Sequence, residues 1–223
     1  MSEPCNIVVL LSGSGSNLQA LLDDIDPGDN RYPGRIKAVI SNVADAYGLE
    51  RARHAGLVTH SLDHRSFPDR ESFDHELIRL IDTHAPDLVV LAGFMRILSG
   101  DFVNHYQGRL INIHPSLLPR HKGLDTHARA IEAGDVVHGC SVHFVTEQLD
   151  GGPVIVQAEV SIRPSDTSDT LAARVLEQEH VIYPLAVRWF AERRLRLAPE
   201  GAMLDGEILP ASGITVRPIS GDL

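Results

Sequence analysis

Asn6-Ile7-Val8-Val9-Leu10-Leu11-Ser12-Gly13-Ser14-Gly15-Ser16-Asn17 decides the fold. Residues 6–11 are a near-continuous apolar run, the pattern of a central parallel strand covered on both faces. Residues 12–17 break the run with two glycines, and Leu18, Leu21, Leu22 and Ile25 then recur at helical spacing. The unit is a strand, a Gly-rich turn and a helix. A second cycle follows, with a strand over Ile36–Ser41 and a helix from Ala44 to Ala55 closed by Gly56 at a C′ position. Leu57-Val58-Thr59-His60 begins a short third strand. Asp69 to His84 predicts another helix, with Phe73, Leu77, Leu80 and Ile81 on one face, and Pro86 separates it from the strand Leu88–Ala92. Strands alternating with crossover helices imply an α/β protein with a parallel sheet.

The second half changes rhythm. Leu110-Ile111-Asn112-Ile113 is the end of a buried strand, and Pro115 and Pro119 then force the chain out of regular structure. Gly139–Val145 and Val154–Ile162 are β-rich and joined through Asp150-Gly151-Gly152, which predicts adjacent antiparallel strands and so a mixed sheet. Thr167 or Ser168 can cap a helix that carries Leu171, Val175, Val181, Leu185 and Trp189 inward, with Pro184 kinking or dividing it. Ala202–Pro210 predicts a hairpin around Asp205-Gly206. The expected organisation is one domain over 1–210 and a loosely held tail over 211–223.

Composition narrows the function classes. With 223 residues and 43% hydrophobic content the chain can bury a full core, and its 13 prolines and 18 glycines are too scattered to form a linker. A formal charge of −10 argues against broad nucleic-acid binding, which needs clustered Lys and Arg. Cys5 and Cys140 lack CxxC spacing, which argues for reduced thiols and a cytoplasmic setting. No signal peptide or membrane span is expected, because the chain enters an apolar strand without a basic leader. Twelve histidines invite a metal reading, yet no HExxH occurs and pairs such as His121 with His127 or His60 with His64 lack companion ligands. Asp23, Asp24, Asp26 and Asp29 lack the Gly and distal Glu of an EF-hand loop, so they are expected to be a solvated helix end.

Three stretches carry chemistry. The turn Ser12–Asn17 places glycines where backbone must approach closely and leaves N–H groups at a helix start, so it is either a phosphate cradle or an ordinary strand-to-helix turn. Leu18 at the third glycine position counts against a dinucleotide fingerprint, and no GKS or GKT makes a P-loop. Asn112-Ile113-His114-Pro115-Ser116-Leu117-Leu118-Pro119 and Asp150-Gly151-Gly152-Pro153 supply an amide, an imidazole and a carboxylate, the groups that acyl transfer to an amine requires. His114 alone could equally be a hydrogen-bonded loop residue.

Together with Ser41–Ala46, Leu91–Leu98, Ser141–Val145 and Gln178-Glu179-His180 before Tyr183-Pro184, these motifs resemble the folate-dependent formyltransferases over residues 5 to 190. The resemblance implies a Rossmann-like formyltransferase fold, with a mostly parallel mixed sheet and helices on both faces. It implies transfer of a formyl group from 10-formyltetrahydrofolate to the amine of glycinamide ribonucleotide, a step of de novo purine biosynthesis, with no metal. Asn112 would stabilise the oxyanion, His114 would relay the proton and Asp150 would favour the imidazolium. Gly15, Ser16 and Asn17 would hold the ribonucleotide phosphate, with Glu179 at the glycinamide end. Folate would lie along Met95, Arg96, Ile97 and Leu98, Asn112, and Thr146, Glu147, Gln148, Leu149 and Asp150, with Arg70 on its glutamate tail. Each binding residue has a plainer alternative: Glu179 and Arg70 as surface charges, Met95, Ile97 and Leu98 as core.

Two positions depart from the family pattern. Arg120-His121-Lys122-Gly123 replaces the usual Lys-Tyr/Phe-Pro-Gly, and Leu176 stands where polar contact with the ribonucleotide can occur. The loop from His121 to His127 is expected to pack or move differently, with the assignment of the three catalytic residues unaffected. Small-molecule partners are expected, with neither nucleic acid nor membrane, and a homodimer is left open. Relatives with an added RNA-binding or regulatory domain share the three residues, and the chain length argues against both. A non-catalytic nucleotide-binding module is the alternative from another class, and convergence of Asn112, His114 and Asp150 discriminates against it.

Overall fold

The computed structural model describes residues 3–25 and 32–217. β1 (Cys5–Leu11) is the centre of a sheet whose parallel half is completed by β2 (Gly34–Ser41), β3 (Thr59–Ser61), β4 (Leu88–Leu91) and β5 (Leu110–His114). β6 (Val137–Phe144) runs antiparallel to β5, β7 (Val154–Ser161) antiparallel to β6, and β11 (Ile214–Val216) parallel to β7. The order across the eight strands is β11-β7-β6-β5-β4-β1-β2-β3. Strand order therefore reverses between β1 and β4, and a crevice opens beyond their C-terminal ends.

Alternation along β1 explains the layers. Ile7, Val9 and Leu11 belong to one core, with α1 (Ser16–Asp24), α2 (Tyr47–His54) and α6 (Ser168–Ala191), while Val8 and Leu10 belong to the other. That second core is covered by α3 (Arg70–Asp82) and α4 (Gly100–His105) through Phe73, Leu77, Ile81, Phe102 and Val103. Side chains at i and i+2 share a face, so an unbroken apolar strand needs cover on both sides. α5 (Thr126–Glu132) packs on α6. A small antiparallel sheet of β8 (Leu195–Ala198), β9 (Gly201–Leu204) and β10 (Glu207–Ile208) contains the expected turn at Asp205-Gly206 and closes against the first core.

Several expectations are corrected. α6 is continuous through Pro184, whose missing N–H and steric cost of about 3 kcal/mol are offset by buried Ile182, Tyr183, Ala186 and Val187 on both sides. Its inward stripe is Leu171, Val175, Glu179, Ile182, Tyr183, Ala186 and Val187; Val181 is 53% exposed and Leu185 only partly buried. A charged residue thus occupies a core position of the helical period. The segment after Pro210 is held, because β11 pairs with β7. The rest of the expected tail, 218–223, lies outside the described residues, as do Asp26 and Asp29 of the acidic cluster. α4, α5 and β8 carry no strong periodic signal and were not anticipated.

Candidate active site

The turn after β1 is built by close backbone approach. Gly15 has φ +71°, and a Cβ there would stand 2.5 Å from the Cα of Gly48 at the start of α2. Glycine is required for packing first, and the helix N-terminus it opens carries no side-chain cap and no acid in its first turn. Its N–H groups remain available to an anion, the arrangement a helix dipole favours. Ser12 ties this turn to its neighbours: its hydroxyl donates to Asn42 Oδ1 at 2.5 Å and accepts from the Met95 N–H at 2.8 Å, while its N–H donates to the Gly93 carbonyl at 3.0 Å. Three loops at the switch point become one wall.

Asn17 and Glu179 meet across 162 positions of sequence. Asn17 Nδ2 donates to Glu179 Oε2 at 2.8 Å, and both residues are 7% exposed. Glu179 is therefore no surface charge. Burial pushes its carboxyl pKa up, opposed by the Asn17 hydrogen bond. The Asn17 side chain is committed to this pair, which leaves its backbone N–H for an anion.

Asn112, His114 and Asp150 converge. β5 delivers Asn112 and His114 from one face of its last residues, and the β6–β7 connection returns Asp150, at φ +46°, beside them. Gly152 makes that return possible, because a Cβ there would lie 1.8 Å from the Phe144 carbonyl oxygen. His114 Nδ1 stands 3.5 Å from Asp150 Oδ2, with both side chains under a tenth exposed. His114 Nε2 donates to the His121 carbonyl at 3.1 Å. Asn112 Nδ2 lies 3.2 Å from His143 Nε2, and His143 Nδ1 lies 2.9 Å from the Phe144 carbonyl. A carbonyl accepts only, so Nδ1 of His143 bears the proton and Nε2 takes a hydrogen bond from the Asn112 amide. Burial holds the His143 pKa well below the ordinary imidazole value, which keeps that acceptor available. One amide N–H of Asn112 is thereby fixed and the other is free to point at a developing charge.

The loop with the unusual Arg120-His121-Lys122 sequence touches two of the three residues, His114 and Asp150. Besides the His121 carbonyl on His114, the Gly123 N–H donates to Asp150 Oδ2 at 2.9 Å. His121 and Gly123 both have positive φ, +48° and +80°. The loop base is fixed on the sheet: Ser141 Oγ donates to the Ser116 carbonyl at 2.6 Å, Leu118 N–H donates to Ser141 Oγ at 3.0 Å, and Gln157 Nε2 donates to the Leu118 carbonyl at 2.9 Å.

A cavity of about 130 Å³ adjoins Asn112, His143 and Asp150. Arg96, Ile97, Leu98, Thr146, Glu147 and Leu149 line it as expected, together with Phe94, Val103 and Val145. Met95, Gln148 and Arg70 do not. Met95 is 71% exposed, and Arg70 pairs with Glu71 at the start of α3. Ile97 and Leu149 are more than half exposed, so they are not core residues. Leu176 is only partly buried on α6.

A family model described as formyl transferase matches residues 5–187. The chain belongs to the formyl transferase family. It is 59% identical over 208 residues to a phosphoribosylglycinamide formyltransferase of Escherichia coli, covering 93% of this chain and 97% of that one. It is 43% identical over 200 residues to the trifunctional purine biosynthetic protein adenosine-3 of Homo sapiens, covering 89% of this chain and 20% of that protein. Among solved structures, a phosphoribosylglycinamide formyltransferase from Coxiella burnetii superposes with a TM-score of 0.91 at 52% identity, covering 97% of this chain and all of that one.

In this formyl transferase, sequence reasoning missed His143 as the partner that orients Asn112, although Ser141–Val145 was part of the motif set. The signal available was alternation: His143 and Ser141 stand opposite Asn112 and His114 in the β5–β6 register. Phe94 was legible inside Leu91–Leu98, but Val103 comes from α4, which the sequence pattern did not reveal. Among the described residues no helix is long and apolar enough to cross a membrane.

Proposed function

We propose that this chain transfers the formyl group of 10-formyltetrahydrofolate to the amine of glycinamide ribonucleotide, giving the N-formyl ribonucleotide of de novo purine biosynthesis in the cytoplasm. The observation that carries this reading is the convergence of an oriented amide, an imidazole and a carboxylate beside a cavity at the switch point of a formyl transferase. The ribonucleotide phosphate sits on the N–H groups of Gly15, Ser16 and Asn17, and Glu179 faces the glycinamide end with Oε1, the oxygen that Asn17 leaves open. The ring end of the folate enters the cavity against Ile97, Leu98 and Leu149, and Arg70 meets its glutamate tail outside.

The chemistry follows from these positions. The amine lone pair attacks the formyl carbon, a C–N bond forms and the carbonyl oxygen becomes an oxyanion. The free N–H of Asn112 donates to that oxygen, already aimed because His143 holds its geminal N–H. The oxyanion collapses, the C–N10 bond breaks and N10 leaves with its electron pair. A proton moves from the attacking nitrogen to N10, with His114 as the relay and Asp150 holding the imidazolium by charge. No proton or electron is left over.

The test is a formyl-transfer assay with both substrates, followed by the appearance of tetrahydrofolate. Turnover that depends on Asn112 and His114 supports the proposal. Absence of transfer, or full turnover with alanine at both positions, refutes it.

A further inference from the structure

The loop over the catalytic residues is fastened by a His121–Asp135 hydrogen bond that plays no part in the reaction just described. His121 Nε2 lies 2.7 Å from Asp135 Oδ2, the two side chains being 13% and 7% exposed, and Arg120 pairs with the other carboxylate oxygen of Asp135. Asp135 belongs to the turn between α5 and β6, so the pair joins the loop to the frame of the sheet. Directly at its root, the His121 carbonyl accepts from His114 Nε2, and two residues on, the Gly123 N–H donates to Asp150 Oδ2. A carbonyl therefore faces the imidazole and an amide N–H faces the carboxylate, each matched to the charge that group carries when the imidazole is protonated.

We infer that His121 is a positioning residue: its hydrogen bond to Asp135 pins the loop so that its own carbonyl orients His114 and the Gly123 N–H orients Asp150. The His121 carbonyl takes the Nε2–H and so fixes the ring plane and tautomer, which leaves Nδ1, 3.5 Å from Asp150 Oδ2, as the nitrogen through which the proton is exchanged. Ser116 Oγ holds the Arg120 carbonyl and Arg129 holds the Lys122 and Leu124 carbonyls, but His121 itself, at positive φ, is tied by its side chain to Asp135, so losing that tie frees the one peptide whose carbonyl meets His114. The groups facing His121 are Asp135, Arg120 and the His138 ring, whose centroid is 6.0 Å away; His127 stands behind His138. None of these is assigned a role above.

This inference rests on the proposed role of His114, and the experiment separates the two. Initial rates are measured at saturation in both substrates, with KM for each, for the wild type and for Asp135→Asn, His121→Ala and His121→Gln, and the His114 ring nitrogens are followed by ¹⁵N NMR. Losing one hydrogen bond to a charged group corresponds to a fall in kcat of about tenfold to a hundredfold. That fall is expected for Asp135→Asn and His121→Ala, with KM for both substrates little changed. The kcat pH profile is expected to change shape, and the ¹⁵N signals should lose the pattern of a ring held as the Nε2–H tautomer. His121→Gln, which keeps a donor for Asp135, should recover most of the rate. Wild-type kcat and unchanged ¹⁵N signals in His121→Ala overturn the inference, as does an equal loss in His121→Gln and His121→Ala. If Asp135→Asn does not fold, the two His121 variants decide alone. A His114→Ala protein that retains kcat would defeat the underlying role instead, whereas an inactive His114→Ala beside a fully active His121→Ala defeats only the pin.

Discussion

Replacing Glu179 by Gln should make the protein more stable and worse at binding its ribonucleotide. The carboxylate is 7% exposed and has one hydrogen-bond donor, Asn17 Nδ2 at 2.8 Å. Burying an ion costs several kcal/mol after relaxation, and a hydrogen bond to a charged group returns about 1.5–3 kcal/mol. The amide keeps the shape and an acceptor for Asn17, so the variant should gain about 1–2 kcal/mol at neutral pH. The sign with pH follows from the raised carboxyl pKa. Above it, the folded state holds a charge that the unfolded state keeps in water, so wild-type stability falls as pH rises through that raised value, and Glu179→Gln lacks this fall. Binding moves the other way: a charged hydrogen bond to the ribonucleotide becomes a neutral one, a loss of about 1–2 kcal/mol, or roughly 5–30-fold in its KM. Urea unfolding at several pH values and initial-rate kinetics with each substrate read both effects. An unchanged ribonucleotide KM, or a destabilised Gln protein, would show that the buried carboxylate is a structural hydrogen-bond acceptor and nothing more.

Three further outcomes are expected. Asn112→Ala should lower kcat by about 10²–10³ while folate affinity, read by fluorescence titration, stays near wild type; a change confined to KM would count against an oxyanion role. His138 is buried with its pKa lowered from 6.5 to about 4 by desolvation, then by His127 and His121. The unfolded state therefore binds more protons between those values, and urea midpoints should fall as pH drops from about 6.5 toward about 4, with a smaller fall in His138→Gln, where His143 still contributes. Gly15→Ala should destabilise by at least about 1–2 kcal/mol, because φ is +71° and the Cβ would meet the α2 backbone; a selective rise in ribonucleotide KM at full stability would instead assign that glycine to the phosphate alone.

The parallel half of the sheet was legible because its strands are unbroken apolar runs and its helices amphipathic, patterns that survive any tertiary context. The end of the chain was not. β11 is three residues long and is made by pairing with β7, a non-local contact that no local pattern announces. The register of α6 departs from expectation at Pro184, which does not break it, and at Val181 and Leu185, which are not core; the period Leu171–Val175–Glu179–Ile182 already places Glu179 on the buried face. At the site, Asn112, His114 and Asp150 were visible as chemistry, whereas His143 was not, since a neutral imidazole that orients an amide looks like any core histidine. The side chains of the loop after Pro119 depart from the usual pattern, which says only that it packs differently. Its contacts to His114 and Asp150 are made by backbone atoms, which sequence does not distinguish.

The Tyr183 hydroxyl, wholly buried, donates to the Leu91 carbonyl at 2.8 Å with the Ile111 carbonyl 3.3 Å away. Those carbonyls lie at the last residue of β4 and the second of β5, one residue before Ala92 and Asn112, and Glu179 stands one helical turn ahead of Tyr183 on α6. A single phenol thus gauges the distance between the residues assigned to the amine donor and those assigned to the formyl carrier. Any slide or roll of α6 would break that buried bond, so under the proposed assignment the two reactants share one ruler. Holding two partners at a set separation before reaction is itself a large part of what an enzyme contributes to a bimolecular step. In this molecule that constraint is carried by a residue that neither reactant touches.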